Sequence, residues 1–163
     1  SARRYGRCMP ATRIGLIADT HNLLRPEAAA WLAGCAHILH AGDICAPEVL
    51  DALRRIAPVT AVRGNNDHGA WAQALPEAHT LDIEGMRIHL LHDLTQLAID
   101  PQAEGVQVVL AGHSHKPLVQ SRGDVLFVNP GSAGPRRFTL PISAGALWIE
   151  GGQVRAELHP LLP

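Results

Sequence analysis

The feature that most constrains this chain is an apolar run that ends abruptly in two polar groups: Ile14-Gly15-Leu16-Ile17-Ala18-Asp19-Thr20-His21. The run is short and has no helical polar face, so it reads as a buried strand. Asp19 and His21 fall just past its carboxyl end, where open α/β sheets bind ligands. Residues two apart on extended backbone project to one side. An oxygen and an imidazole nitrogen aimed at one point is an arrangement that suits a metal ion. The pattern recurs in order along the chain: His40-Ala41-Gly42-Asp43, Arg63-Gly64-Asn65-Asn66-Asp67 after Val59 to Val62, His92 after Ile88 to Leu91, and Gly112-His113-Ser114-His115 after Val106 to Leu110. Five apolar runs ending in Asp, Asn or His point to one site assembled from several strand ends.

Between these runs the first half alternates strand and helix. Leu23 to Ala33 reads as a helix, with Pro26 and Glu27 in its first turn and Gly34 as its stop. Ala36 to His40 is a strand, Pro47 to Ile56 a helix with one apolar stripe, and Val59 to Arg63 a third strand. This β-α-β-α-β order implies a parallel sheet. The second half changes character. Asn66 to Pro76 is loop-like, and Leu94 to Ala98 is a short helix at most. Thr80 to Leu91, Leu118 to Val128 and Ala144 to Leu158 each carry a hairpin signal around a central turn. The expected architecture is two packed mixed sheets with helices outside.

At 163 residues the chain is expected to be a single domain over residues 14–163, preceded by a flexible leader over residues 1–13. Hydrophobic content of 47% with 18% charged residues excludes a disordered chain. A net charge of −1 gives no global field for stable nucleic-acid binding or for an acidic membrane. No apolar run approaches the ~18–20 residues of a membrane span. Cys8, Cys35 and Cys45 are odd in number and lack metal-type spacing, so buried thiols in a reducing cytoplasm are expected.

The candidate ligands Asp19, His21, Asp43, Asn65, His92, His113 and His115 exceed what one tetrahedral zinc takes. They suit two ions sharing a carboxylate. Oxygen and imidazole without thiolate favour Mn, Fe, Zn, Co or Ni over Ca or Cu(I). Two such ions roughly 3.5–4 Å apart form a clamp for displacement at phosphorus, with an acidified water as nucleophile.

The ordered set Asp-x-His, Gly-Asp, Gly-Asn-x-Asp, His and Gly-His-x-His resembles the calcineurin-like metallophosphoesterases. The short length and the turn Asn129-Pro130-Gly131-Ser132 resemble the small bacterial and archaeal phosphodiesterase branch. The resemblance implies an α/β fold, a four-layer α/β/β/α sandwich with a dinuclear centre at the strand ends. Carried over by motif position, Asp19, His21 and His115 hold one metal and Asn65, His92 and His113 the other, with Asp43 bridging. Two divalent ions are implied, Mn2+ first among them. Asp67 is expected to orient its loop or a ligand. The implied reaction is attack of a metal-bridging hydroxide on a small phosphodiester, with Asp43, Asn66 and Asp67 as the catalytic set.

Asn66 stands where many members of the family have His. Asn can donate to a phosphoryl oxygen but cannot protonate a leaving group at neutral pH. Diesters with good leaving groups are therefore expected over monoesters. Asp93 stands where Gly is usual, and solvent exposure is the favoured reading. His68 and Arg136 are candidate substrate contacts beside Asn66, with Arg137 and Arg25 as weaker ones. His37, His40, His79, His89 and His159 are read as structural. A homodimer or higher assembly is implied, with Trp71 a candidate interface anchor. The rival readings are a phosphomonoesterase or nucleotide phosphatase, and a catalytically silent metal-binding scaffold like the family's eukaryotic sorting-complex relative.

Overall fold

The computed structural model describes residues 11–163. Residues 1–10, most of the expected leader and Cys8 with it, lie outside the described residues. The first strand among the described residues, β1 (Thr12–Ile17), overlaps the last two residues of the expected leader. It leads through α1 (Pro26–Leu32) to β2 (His37–His40), then through α2 (Pro47–Arg54) to β3 (Val59–Ala61). β1, β2 and β3 pair in parallel, as the βαβ reading requires. After a one-turn helix, α3 (Ala70–Gln73), come β4 (Ala78–Ile83), β5 (Met86–Leu91), β6 (Val108–Leu110), β7 (Leu118–Arg122) and β8 (Val125–Asn129). The closing hairpin is β9 (Ser143–Glu150) with β10 (Gln153–Pro160). One sheet has the order β10-β9-β1-β2-β3 and the other β4-β5-β6-β8-β7. Both are mixed: β5, β6 and β8 pair in parallel, while the three hairpins pair antiparallel.

Three apolar layers hold this arrangement. Between the sheets, Leu16 and Leu39 meet Ile88, Leu90, Val108 and Leu110. Outside the first sheet, α1 and α2 bury Leu32, Val49, Leu50 and Leu53 against Ile17 and Ile38. Trp71 joins that layer half-buried, and Trp31 donates from its indole to the Gly145 carbonyl at 2.9 Å. Outside the second sheet, Val109, Val125 and Phe127 are covered by Leu94, Leu97 and Ile99 from a single 3-10 turn (Leu94–Gln96) and irregular chain. The fourth layer is thus much thinner than the first.

Several expected boundaries moved: α2 ends at Arg54 instead of Ile56 and β6 begins at Val108 instead of Val106, and two further shifts have a local cause. Leu23 and Leu24 precede α1 rather than opening it, because Pro26 supplies the first helical residue and has no N–H to offer an earlier turn. β3 stops at Ala61 because Arg63 leaves the sheet to pair its N–H with the Pro76 carbonyl at 2.8 Å.

α1 can lie this close to β1 only because residue 15 has no side chain. A Cβ there would collide with the Leu32 Cδ2 and lie 3.3 Å from the Cys35 sulfur. Gly15→Val is expected to destabilise the fold by about 1–3 kcal/mol, read as a lower urea midpoint with an unchanged slope.

Candidate metal centre

The carboxyl ends of β1, β2, β5 and β6 meet at one edge of the two sheets, and backbone hydrogen bonds lock the loops that follow. Asp19 N–H donates to the Gly42 carbonyl and His21 N–H to the Asp43 carbonyl, both at 3.0 Å. Gly112 N–H donates to the His92 carbonyl at 2.9 Å. The sheets are tied to each other by His92, whose Nδ1 donates to the Ala41 carbonyl at 2.7 Å. That contact leaves His92 Nε2 facing Asp43 and the site: protonated it donates to Asp43, and with that proton lost it offers a lone pair to a metal ion.

Six of the seven predicted ligands converge directly. Asp43 Oδ2 lies 3.6 Å from His21 Nε2 and 3.3 Å from His92 Nε2. Asp19 Oδ1 lies 3.7 Å from His115 Nε2. His113 Nδ1 lies 3.3 Å from His92 Nε2, and 3.2 Å from Asn65 Oδ1, which brings in the seventh. Two groups have the spacing of a metal nest: Asp19, His21 and His115, and Asp19, Asp43 and His92. Asp19 belongs to both, and Asp43 touches a histidine of each.

The residues fit metal ions on independent grounds. Asp19 Oδ1, His21 Nε2 and His115 Nδ1 are buried and have no hydrogen-bond partner among the described residues. Orphaned buried polar atoms are costly unless something binds them. Burial pushes the Asp19 carboxyl up to about 7, with Asp43 adding to the rise and His92 opposing it. Burial also presses on Asp43, but hydrogen bonds from His92 and Asn66 overcome it and hold that carboxylate well below its usual range. Burial brings His115 down to about 4, with Arg137 assisting, so its imidazole is neutral and able to ligate.

Five of the seven candidate ligands occupy the left-handed backbone region: Asp19 (φ 55°), His21 (45°), Asp43 (58°), His113 (72°) and His115 (64°). Each such residue costs on the order of 1 kcal/mol, and such strain clusters at functional sites. The surrounding chain supplies the restraint. Asp67 is buried and accepts from the N–H groups of Gly64 (2.8 Å), Asp43 (3.0 Å) and Cys45 (2.7 Å). It is a positioning residue, in line with the loop-orienting role; its oxygens are not turned to a substrate. Gly64 must be glycine, because a Cβ there would run into the Asp43 carboxylate.

Three contributions differ from the favoured reading of the sequence. His40, read as structural, accepts from Gly42 N–H at Nδ1 and donates from Nε2 to the Thr20 hydroxyl, both at 3.0 Å. It thus couples the loop of Asp19 and His21 to that of Asp43. Asn129 donates to the Gly112 carbonyl (3.0 Å) and Ser132 to the Asp19 carbonyl (3.1 Å), so the Asn-Pro-Gly-Ser turn braces the ligand loops. Asp93 caps the 3-10 turn by accepting from Thr95, and its other oxygen lies 3.7 Å from His113 Nε2. It faces a ligand instead of simply facing solvent.

The substrate candidates separate. Asn66 donates to Asp43 twice, from its backbone at 2.9 Å and its side chain at 3.0 Å. His68 is exposed and lines neither the hollow beside Asn65 nor the one beside His21. Arg136 borders the His21–His115 hollow, but its guanidinium is aimed at the Leu140 and Pro163 carbonyls. Arg137 is the one whose charge acts on Asp19 and His115. Arg25 braces the Gly134 carbonyl at 3.2 Å.

A sequence model of the calcineurin-like phosphoesterase superfamily domain matches residues 12–152. The chain belongs to this superfamily. A probable metallophosphoesterase of Methanothermobacter thermautotrophicus is 33% identical over 160 residues, covering 89% of this chain and 90% of the relative. Vps29 of Entamoeba histolytica, solved as a Zn2+ complex, superposes with a TM-score of 0.69 at 26% identity over 93% of this chain and 100% of that one. An archaeal phosphodiesterase shares the fold with a TM-score of 0.74 at 23% identity, over 89% and 98% of the two chains. The two-sheet sandwich expected of the superfamily is the fold observed here.

Burial depresses the His40 pKa from 6.5 to about 3, so the folded protein refuses a proton that the unfolded chain accepts. Its share of stability is therefore complete above about pH 6.5 and falls as the pH drops toward 3. His37, His89 and His115 shift in the same direction. Asp19, pushed up to about 7 by burial, and His92, which burial lowers but Asp43 raises further, take up protons on folding and oppose this loss. The His40 share is therefore read by difference: as the pH falls from 7.5 to 5, the urea midpoint of metal-free His40→Asn, which keeps an acceptor for Gly42, is expected to rise relative to that of the parent protein.

Proposed function

We propose that this superfamily member is a dinuclear phosphodiesterase acting on small phosphodiesters. The observation that carries the reading is the shared carboxylate pair, Asp19 and Asp43, with a histidine of each nest within 4 Å. Asp19, His21 and His115 would hold one ion, and Asn65, His92 and His113 the other, with Asp43 between them. Mn2+ is the first choice, with Fe, Zn, Co and Ni open, and the Zn2+ bound by the Entamoeba relative supports a transition-metal site. Two such ions, when bound, withdraw charge from phosphoryl oxygens and acidify a water toward neutral pH.

The chain's own groups favour the diester. Hollows of about 460 Å3 beside Asn65 and His92 and about 270 Å3 beside His21 and His115 flank the nests and leave them open to substrate from both sides. Asn66 uses one amide hydrogen on Asp43 and has a second for a phosphoryl oxygen. It has no acidic proton for a leaving group, so good leaving groups react best. Two free thiols, Cys35 and Cys45, are in keeping with the cytoplasm as its compartment.

Mn2+-loaded protein is expected to hydrolyse bis(p-nitrophenyl) phosphate at least about tenfold more efficiently than p-nitrophenyl phosphate. Asp43→Ala is expected to lose at least about a hundredfold in that activity. A monoester preference would contradict the Asn66 argument. Absence of turnover with both ions bound would favour the scaffold reading, to which the likeness to Vps29 lends support.

A further inference from the structure

A hollow of about 470 Å3 lies on the outer side of the second sheet, against the metal centre. It exists because the outer cover is thin there. The 3-10 turn is three residues long, so Leu94 reaches over only part of the face that β6 and β8 present through Val109 and Phe127. Ala111 contributes no bulk beyond the end of β6. Leu118 forms the far wall from β7, and the exposed Lys116, the chain's single lysine, stands at the rim.

The partition between this hollow and the metal centre is one ring. His113 Nδ1 faces Asn65 and His92, while its Nε2 faces Asp93, and both His113 and Asp93 also line the hollow. A group attached to a phosphorus at the nests therefore has an apolar slot within one ring's width, with a cation at its mouth. An apolar cavity with a few polar groups at its edge is the usual form of a small-molecule subsite.

We propose that this slot takes one ester arm of the substrate, and that the arm is a flat apolar ring. The assignment rests on the phosphodiesterase reading and narrows its substrate class to diesters bearing an aryl or similarly flat ring. Dialkyl esters would leave the slot unfilled and gain nothing from it.

Non-hydrolysable phosphinates, which carry two arms and a single negative charge as a diester does, test this by calorimetry on the Mn2+-loaded protein. In benzyl(methyl)phosphinate carbon stands where both ester oxygens would be; dimethylphosphinate lacks the ring. Benzyl(methyl)phosphinate is expected to bind at least about tenfold more tightly. Leu118→Trp fills the slot and is expected to bring the ratio near one. Val119→Trp places the same bulk on the other face of β7 and is expected to keep it. Metal-dependent binding of both ligands with equal affinity overturns the slot alone. Failure of both to bind overturns the phosphodiesterase reading together with it. A benzyl preference that survives Leu118→Trp places the ring elsewhere and also overturns the slot.

Discussion

Two carboxylates buried beside one another are the constraint on which the rest of this structure depends. Asp19 and Asp43 sit at 0% and 2% exposure where the ends of two sheets meet. Taking a charge out of water is expensive unless something pairs with it. Asp43 is paid for by the chain itself, through His92 and two hydrogen bonds from Asn66. Asp19 accepts only one, from the His113 N–H to Oδ2, and its other oxygen has no partner among the described residues. The two neighbouring carboxylates therefore have opposite electrostatics, Asp43 held ionised and Asp19 held near neutrality. A cation held by both carboxylates would resolve the difference.

Holding those groups in place requires backbone that an unrestrained chain avoids. Five ligands lie at positive φ, and the restraint comes from residues that never face the hollow: Asp67 under three amides, His40 between Thr20 and Gly42, and Asn129 beneath the Gly112 loop. Strain at the site is thus offset by satisfied buried polar groups around it. Stability and function are coupled through these residues, since loosening any of them lets a ligand loop relax to an ordinary conformation.

That the candidate ligands would gather at one place was legible in the sequence because they follow apolar runs, and a strand end is a position that alternation and burial define locally. The two mixed sheets were legible for the same reason, through helix punctuation at Pro26 and Pro47 and turns at Gly85, Gly123 and Gly151. What escaped was set by contacts between distant segments. Nothing local tells Arg136 from Arg137, and only the fold turns the first toward Leu140 and Pro163 and leaves the second acting on Asp19. The role of His40 depends on a hydroxyl twenty residues away in sequence. The thin outer layer depends on how little helix the stretch after His92 forms once Asp93 caps it into a single 3-10 turn.

The most direct test of a two-ion centre is anomalous scattering from crystals grown with Mn2+, recorded at energies above and below the manganese edge. Two peaks are predicted, one among Asp19, His21 and His115 and one among Asn65, His92 and His113, with Asp43 between them. A single peak, or peaks away from these side chains at saturating Mn2+, would contradict the account.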